Sequence, residues 1–508
     1  MERKKSEGDS YWRHVVKRFL KHRLGVFASC VVIAFCLVGV YAPFLASSKP
    51  LFVIYDGQWY FPLFKYLFYQ GFYTKRLDIF FNLLSFTLPL LVFAFVFLHR
   101  KLKGIALAVI CIVQVVGFLY FSFLPPSDPA GDQELAKQRN IAFQQLIRAG
   151  KLPSWQFDLQ YMNTYAKLNL LIREKNLREQ DNALAKYRKT YTETTGLPIP
   201  SLWHLQQENK MKEIAGLQVI LEKEKNAVNE DSLAYKQTNE KLIYILDRSK
   251  WIAEQEQLID YQIMPLLSEF HWEDDAGGQQ ALNQYVDWWD LTRINRKDLL
   301  AALIFGVRIS LVVGLVSIAL ALLIGIPVGA YAGFYGGKLD ILVSRLLEIW
   351  EAMPIFFMLL LVIAFLQSKS IFLVILVIGL FGWTGFSRYI RGEFFKQRHL
   401  PYVEACQSLG FRDNYIIFKH ILPNAIPPVL TLLPFAIMGA ITSEAGLSFL
   451  GLGEENSCSW GVLMDEGRTA FPAESYLLWP PAILLTVLLV AIAIVGDSLR
   501  DTLDPKLR

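Results

Sequence analysis

A stretch between Glu404 and Pro423 combines residue types and spacing that suit mechanical work rather than catalysis. It separates two long apolar runs. A glutamate followed by small residues predicts a short helix, Gly410 is expected to end it, and a second amphipathic turn runs into a proline. Such an element can lie parallel to a membrane and insert into a groove on another protein. The alternative is an ordinary interfacial loop. The residues expected to make the contact are Glu404, Ala405, Cys406, Leu409, Gly410, Ile421, Leu422 and Pro423.

No catalytic or metal-binding set accompanies this stretch. The chain has no Gly-x4-Gly-Lys-Ser/Thr phosphate loop, no His-Glu-x-x-His and no Cys-x-x-Cys. Its 7 histidines are dispersed, and its 5 cysteines form neither a disulfide framework nor a metal pattern. The sequence therefore predicts that the chain is not an enzyme and binds no metal and no nucleotide itself. A membrane enzyme is disfavoured for the same reason.

Apolar runs dominate the 508 residues, of which 53% are hydrophobic. Runs of about 20 apolar residues match a bilayer core of roughly 30 Å. Each should be a helix, because lipid offers no partner to backbone groups. The first run lacks a convincing cleavage site and is interpreted as an uncleaved anchor. The predicted spans are 24–46, 79–98, 104–124, 306–334, 341–366, 371–390, 424–450 and 477–496.

Basic residues in short loops give the orientation, because Lys and Arg favour the cytoplasm. The N-terminal segment, the turn at 99–103 and the loop at 388–419 are all basic. An even number of spans with both termini inside agrees with this pattern and puts residues 125–296 outside the cytoplasm. The net charge of +5 then reflects inside-facing anchors and not a nucleic-acid-binding patch.

Three parts follow from the composition. Residues 1–124 hold the cytoplasmic N-terminus, the first span and a two-span hairpin, and residues 297–508 hold a five-span block. Residues 125–296 are polar and helix-forming, with breaks expected at 196–200 and 274–278. Apolar stripes at helical spacing predict an amphipathic hairpin or small bundle there. The stripes are Ile214, Leu217, Leu221 and Val228, and Leu242, Ile245, Leu246, Ile252 and Ile259.

A set of short motifs along the C-terminal block resembles a known family. They are Gly306–Leu311, Gly336–Asp340, His420–Asn424, Leu447–Gly453, Ser459–Gly461 and Gly496–Pro505, together with the 404–423 stretch. As a set they resemble the C-type permease subunit of oligopeptide/dipeptide ABC importers, over roughly residues 291–508 plus the first span. Residues 49–62 are similar to the segment after the first span in one branch of this family.

The resemblance implies an all-α, polytopic membrane helix bundle of the type I ABC importer permease fold, here with an extracytoplasmic helical insertion. It implies half of a peptide pathway in a bacterial inner membrane. The 404–423 stretch would then dock on an ATPase. The implied partners are a homologous second permease subunit, two ABC ATPase subunits that use the ATP, an extracytoplasmic substrate-binding protein and the lipid bilayer, but no nucleic acid. Nickel chelates are the alternative cargo, and a membrane scaffold or sensor without transport is the alternative function.

Some features depart from the family pattern. Family members carry Gly-Thr-Asp-x-x-Gly-Arg-Asp before the second core span, whereas residues 291–298 keep only Thr292 and Asp298 of that pattern and lose both glycines. Cys406 replaces the second alanine of the loop motif. The hairpin and the insertion lie outside the usual six-span plan. The insertion is expected either to meet the binding protein or cover the pathway mouth, or to be a decoration that touches only the hairpin.

Within the block, four glycines and one acid stand out. Gly325, Gly329, Gly333 and Gly337 fall four apart on one helix face, which predicts close helix packing, with a smooth lipid-facing surface as the alternative. Glu444 lies within a span, where an ionisable group is costly and usually functional. It is a candidate for the transport pathway, and a structural hydrogen bond to a neighbouring helix is the alternative.

Overall fold

The computed structural model describes residues 15–70, 75–151, 154–197, 202–226, 233–267, 285, 299–454, 457–469, 471–472 and 475–503. The chain divides into two compact units, one formed by residues 1–39 and 305–508 and the other by residues 40–304. The first span therefore groups with the C-terminal block, and the hairpin groups with the insertion. The altered segment at 291–298 and the expected break at 274–278 lie outside the described residues.

Helices account for most of the described chain. In the N-terminal half they are α1 (Arg23–Val40), α2 (Ala42–Leu45), α3 (Pro62–Tyr66), α4 (Arg76–Phe97), α5 (Arg100–Phe123), α6 (Gln133–Arg148), α7 (Trp155–Gln160), α8 (Thr164–Thr195), α9 (Leu202–Asn226) and α10 (Leu233–Glu256), with the strands β1 (Phe52–Tyr55), β2 (Gln58–Tyr60) and β3 (Ile259–Ile263).

The C-terminal half is helical in all its described elements. They are α11 (Leu299–Tyr335), α12 (Gly337–Glu351), α13 (Ile355–Leu366), α14 (Ile371–Gln397), α15 (Pro401–Ser408), α16 (Asp413–Tyr415), π1 (Ile416–Ile421, a π-helix), α17 (Leu422–Leu430), α18 (Leu433–Leu447), π2 (Ser448–Leu452, a π-helix), α19 (Trp460–Thr469), a 3₁₀ turn (Ser475–Leu477) and α20 (Trp479–Leu503).

Seven described helices are long and apolar enough to cross a bilayer, and α12 with α13 would add an eighth. That pair is bent by 71° at a short break, so the predicted span 341–366 is a broken one. The predicted span 424–450 is also interrupted, between Leu430 and Leu433, where prolines at 427, 428 and 434 remove backbone donors. The predicted helical membrane bundle is confirmed.

Buried Arg308 joins the first span to the C-terminal block within their shared unit. Its side chain is fully buried, and its Nε donates a hydrogen bond to the carbonyl oxygen of Gly39 at 2.7 Å. The guanidinium also lies over the ring of Phe305, 5.0 Å from its centroid. A buried charge that satisfies a helix-end carbonyl is costly to remove, so this contact fixes the end of α1 on α11.

The second unit contains a three-stranded antiparallel sheet in the order β2-β1-β3. One face covers α8 through an apolar core of Val53, Tyr55, Leu168, Leu171 and Ile172. The sheet was not predicted, because its strands are short and β3 lies about 200 residues after β1 and β2. Ile259, assigned above to a helical stripe, lies in β3, so that part of the prediction is wrong.

Apart from β3, the regular elements in the described part of the insertion are helices, as predicted. Gly196 ends α8 in the left-handed conformation, φ 72°, which agrees with the break expected at 196–200. Helices α9 and α10 pack against each other, and Lys241 Nζ lies 2.6 Å from Glu213 Oε1 between them. Arg248 of α10 pairs with Glu174 of α8 at 2.9 Å. Val228 lies outside the described residues.

Candidate functional site

The 404–423 stretch begins with helix α15, which starts at a proline in its first turn. The helix ends in a Schellman motif. The Phe411 amide donates to the Cys406 carbonyl at 3.1 Å, and the Gly410 amide donates to the Gln407 carbonyl at 2.9 Å. Gly410 adopts φ +75°, a conformation that costs other residues energy. Gly410 therefore forms the sharp turn that the sequence predicts, through its positive φ.

One face of α15 is buried and the other is exposed. Val403 and Cys406 are buried against the rest of the unit, whereas Glu404, Ala405 and Leu409 are exposed. Leu409, which follows the last residue of the helix, has 74% of its surface accessible. The predicted contact residues therefore divide into an anchor, which includes Cys406, and an outward face.

The second half of the stretch repeats this division. Ile416, Ile417 and Ile421 of π1 are buried, Leu422 is half-buried and Pro423 is exposed. The rings of Phe411 and Tyr415 meet at 5.4 Å, and both also contact the imidazole of His420, at 6.2 and 5.3 Å. These rings brace the turn after Gly410, and all three lie on or near the surface.

Tyr402 anchors α15 to the preceding helix. Its hydroxyl donates to Gln397 Oε1 of α14 at 2.9 Å. Burial raises the pKa of this phenol above its ordinary value of 10.0, and a hydrogen bond with Asn424 partly opposes that effect. The phenol therefore stays a neutral donor across the physiological pH range.

Two tyrosines join the stretch to the C-terminal end of α11, and sequence reasoning missed both. The hydroxyl of Tyr331 donates to Asn414 Oδ1 and that of Tyr335 to Asp413 Oδ2, each at 3.1 Å. The Tyr331 ring also contacts Phe418 at 6.1 Å. Their spacing of four residues puts them on one helix face, which is the only signal that the sequence offered.

Ion pairs connect the neighbouring helices in the same region. Arg391 of α14 makes a bidentate pair with Asp340 of α12, in which the Nη2–Oδ2 distance is 3.0 Å. Arg388, one turn earlier, pairs with Glu351. Bidentate guanidinium–carboxylate pairs fix orientation as well as distance. A movement of the 404–423 stretch therefore has contacts through which it can reach α11, α12 and α14.

Three of the four predicted packing glycines lie against α14. A Cβ on Gly325 would lie 2.6 Å from the Trp383 carbonyl oxygen, and one on Gly333 would lie 2.7 Å from that of Arg391. Gly329 approaches the backbone of Ser387 just as closely. Gly337 differs: it begins α12 at φ +55°, and no described atom lies within 4 Å of its Cβ position. The packing prediction is therefore wrong for Gly337, whose conformation instead serves the turn between α11 and α12.

Glu444 is buried in α18, with 1% of its surface accessible. Its Oε1 accepts hydrogen bonds from Ser448 Oγ at 2.7 Å and from Ser459 Oγ at 2.6 Å. Ser459 directly precedes α19, so the carboxylate connects the end of α18 to the start of α19. This geometry matches the structural hydrogen bond that was the alternative for Glu444, and a pathway role stays a prediction.

A cavity of about 450 Å³ lies at the C-terminal end of α13. It is lined by residues between Ile363 and Lys369 and by Glu454. The Lys369 ammonium donates to the Gly451 carbonyl at 3.1 Å at its edge. Among the described residues, no group of three or more His, Cys, Asp or Glu side chains could hold a metal ion.

Two family models match this chain. The model described as binding-protein-dependent transport system inner membrane component matches residues 325–508. The model described as N-terminal TM domain of oligopeptide transport permease C matches residues 10–62. The first range contains the 404–423 stretch and most of the C-terminal block. The second contains the first span and the segment with β1 and β2.

Curated relatives agree with these models. The chain is 36% identical over 253 residues to an oligopeptide transport system permease protein of Haemophilus influenzae, which covers 49% of this chain and 81% of that protein. It is 35% identical over 223 residues to the corresponding protein of Bacillus subtilis, covering 44% and 73%. A peptidoglycan transport system permease protein of Agrobacterium fabrum is 36% identical over 219 residues, covering 43% and 57%. The resemblance stated from the sequence motifs is confirmed.

Proposed function

Because the chain belongs to the binding-protein-dependent inner-membrane permeases, in the oligopeptide permease C group, we propose that it forms one half of a peptide pathway. It is a multi-pass membrane component without enzymatic activity. Proteins of this family work with ATPase partners and a substrate-binding protein. For this chain the proposed assembly is one homologous second permease subunit, two ATPases and one extracytoplasmic binding protein.

Peptides are the proposed cargo because the relatives are named for oligopeptide, dipeptide, glutathione and peptidoglycan transport. Nickel chelates and a scaffold without transport are not favoured by any of these matches. ATP is proposed to bind only the partner subunits. Residues 125–296 are proposed to lie outside the cytoplasm, on the side from which a binding protein would deliver the peptide.

The observation that carries the coupling role is the exposed apolar side chain of Leu409 on a rigidly terminated helix. The helix is anchored by buried Val403 and Cys406, and the turn after it is joined to α11 by Tyr331 and Tyr335. When a partner subunit binds Leu409 and moves, it therefore also moves the cytoplasmic end of α11. Dimerisation of the ATPases on nucleotide would shift the bundle between inward-open and outward-open states.

The first test places a charge where the apolar contact is expected. Leu409→Asp changes an exposed residue, so folding and membrane insertion should be unaffected, whereas an uncompensated carboxylate in an apolar groove is costly. We expect the purified complex to lose its ATPase subunits. Gln407→Asp, exposed on the same helix, is the matched control and should keep them. Retention of substrate-stimulated ATP hydrolysis in Leu409→Asp would contradict the proposed contact.

A second test addresses the turn. Gly410→Val forces a β-branched residue into φ +75°, at a cost of roughly 1–2 kcal/mol. No described atom lies within 4 Å of the Cβ position, so the cost is in the backbone alone. We expect Gly410→Val to uncouple ATP hydrolysis from substrate and Gly410→Asn, which tolerates this conformation, to restore most of the coupling. Equal activity of the two variants would show that the turn geometry is not needed.

A further inference from the structure

The outward face of the small sheet carries apolar or aromatic side chains at its paired positions, and exposed Asp260 lies outside the register at a bulge in β3. The register pairs Ile54 with Trp59 on one side and with Tyr261 on the other, and it pairs Phe52 with Ile263. Directly paired residues share a face, and residues two apart along a strand do as well. The five side chains Phe52, Ile54, Trp59, Tyr261 and Ile263 therefore form one surface, called here the aromatic face.

The opposite face of the sheet already forms the core. Val53 and Tyr55 alternate with the outward residues and pack against α8. An antiparallel sheet that is covered on one side normally presents polar residues to water on the other. Here Trp59 is 70% exposed and Tyr261 is 55% exposed, and Ile263 is exposed beside them. Contact of these apolar side chains with water is unfavourable. A contiguous exposed apolar patch of this kind indicates an interaction site.

The aromatic face is continuous with the surface of a spanning helix. Ring contacts run from Phe52 to Phe61 at 5.4 Å, from Phe61 to Phe64 at 6.2 Å, and from Phe64 to Phe86 of α4 at 6.5 Å. Phe61, Phe64 and Phe86 are all exposed. The aromatic surface of the sheet therefore runs without interruption into the exposed apolar surface of α4.

The depth of this contact along α4 is informative. Phe86 lies ten residues after Arg76, the first residue of the helix, which corresponds to about 15 Å along the helix axis. Asn82 Nδ2 also donates to the Leu67 carbonyl oxygen at 2.7 Å, and the rings of Phe68 and Phe121 stack at 4.5 Å. Phe121 lies two residues before Phe123, the last residue of α5, so residues 64–68 contact the hairpin from the end of α5 to a point partway along α4.

Residue types favour lipid over protein as the occupant. Residues 59–69 read Trp-Tyr-Phe-Pro-Leu-Phe-Lys-Tyr-Leu-Phe-Tyr, in which Lys65 is the only charge. Trp and Tyr concentrate at membrane–water interfaces, where an apolar ring and a polar tip are both satisfied, and Lys can extend its ammonium to the headgroups. We propose that the aromatic face and α3 lie in the interfacial layer of the bilayer leaflet on the insertion's side, so that lipid and not a protein partner covers them.

The test measures what surrounds the aromatic face in the complete transporter. A nitroxide is attached at Trp59→Cys or at Tyr261→Cys, in a variant whose five native cysteines are replaced, and the complex is placed in phosphatidylethanolamine/phosphatidylglycerol nanodiscs. Collision rates with oxygen, which concentrates in lipid, and with a water-soluble nickel chelate are compared. The matched control is Lys189→Cys, 79% exposed on α8. The two labels lie on different strands, so failure of one variant to fold leaves the other.

Three outcomes are distinguishable. High oxygen and low nickel accessibility at positions 59 and 261, with the reverse at 189, is the result expected for contact with lipid. Nickel accessibility at 59 and 261 as high as that at 189 would overturn the proposal, because the face would then lie in water. Low accessibility to both reagents would also overturn it, because a protein partner would then cover the face. None of these readings depends on the cargo or on coupling.

Discussion

Close packing of α11 on α14 gives the sharpest quantitative prediction. At Gly325 an added Cβ would lie 2.6 Å from the Trp383 carbonyl oxygen, 3.0 Å from the Phe386 Cβ and 3.2 Å from the Ser387 amide nitrogen. All three atoms belong to the backbone or are fixed by it, so no change of rotamer relieves the overlap. Ordinary contacts to carbon lie near 3.5 Å, so the helices would have to separate by roughly 1 Å.

The expected cost follows from that displacement. Overpacking of a well-packed core costs about 1–3 kcal/mol. Gly325→Ala also gains up to about 1 kcal/mol of helix propensity, which would obscure the penalty in a single measurement. Gly385→Ala is the matched control, because Gly385 lies in α14, is exposed and has no described atom within 4 Å of its Cβ position. The propensity gain is common to both variants, so their difference isolates the packing penalty.

The assay is unfolding of the purified protein in mixed micelles with increasing dodecyl sulfate, followed by tryptophan fluorescence. We expect Gly325→Ala to be less stable than Gly385→Ala by about 1–3 kcal/mol. Equal stabilities would refute the reasoning, since they would mean that α11 and α14 have room for a methyl group. A more stable Gly385→Ala and a less stable Gly325→Ala, each relative to the unchanged protein, would support both the propensity gain and the packing penalty.

Two further predictions concern single residues. Glu444→Gln keeps an acceptor for Ser448 and Ser459 and should retain transport, whereas Glu444→Leu removes the acceptor of both buried hydroxyl groups at about 1–3 kcal/mol each. Loss of transport in Glu444→Gln with unchanged thermal stability would instead favour a pathway role. A cysteine at Lys189 should react with a membrane-impermeant thiol reagent in intact spheroplasts, and labelling only after permeabilisation would place the insertion in the cytoplasm.

The structure also changes how the insertion has to be tested. Replacing residues 130–285 by a linker would separate a docking role from decoration only if the rest of the unit kept its fold. Strand β3 belongs to this range and pairs with β1, which lies before the hairpin. Its removal would open the sheet and expose Val53 and Tyr55. A deletion that shortens the hairpin of α9 and α10 is a better test of the helical part, because it leaves β3 in place.

The sequence by itself determined the membrane class, most of the spans and the short helix and turn of the 404–423 stretch. These features are local. A run of apolar residues has to be a helix in lipid. Gly410 indicates the turn after the short helix, because few other residues adopt a positive φ. The family motifs were equally readable, since each is a short contiguous segment.

Only the tertiary structure decided which distant residues meet. The sheet joins residues 52–60 with residues 259–263, and Arg308 reaches the carbonyl of Gly39 across 269 positions of the chain. No pattern of period two or 3.6 encodes such pairs, because periodicity identifies a face and not its partner. For the same reason the glycine spacing predicted a packing surface, but only the fold showed that Gly325, Gly329 and Gly333 contact α14 while Gly337 serves a turn.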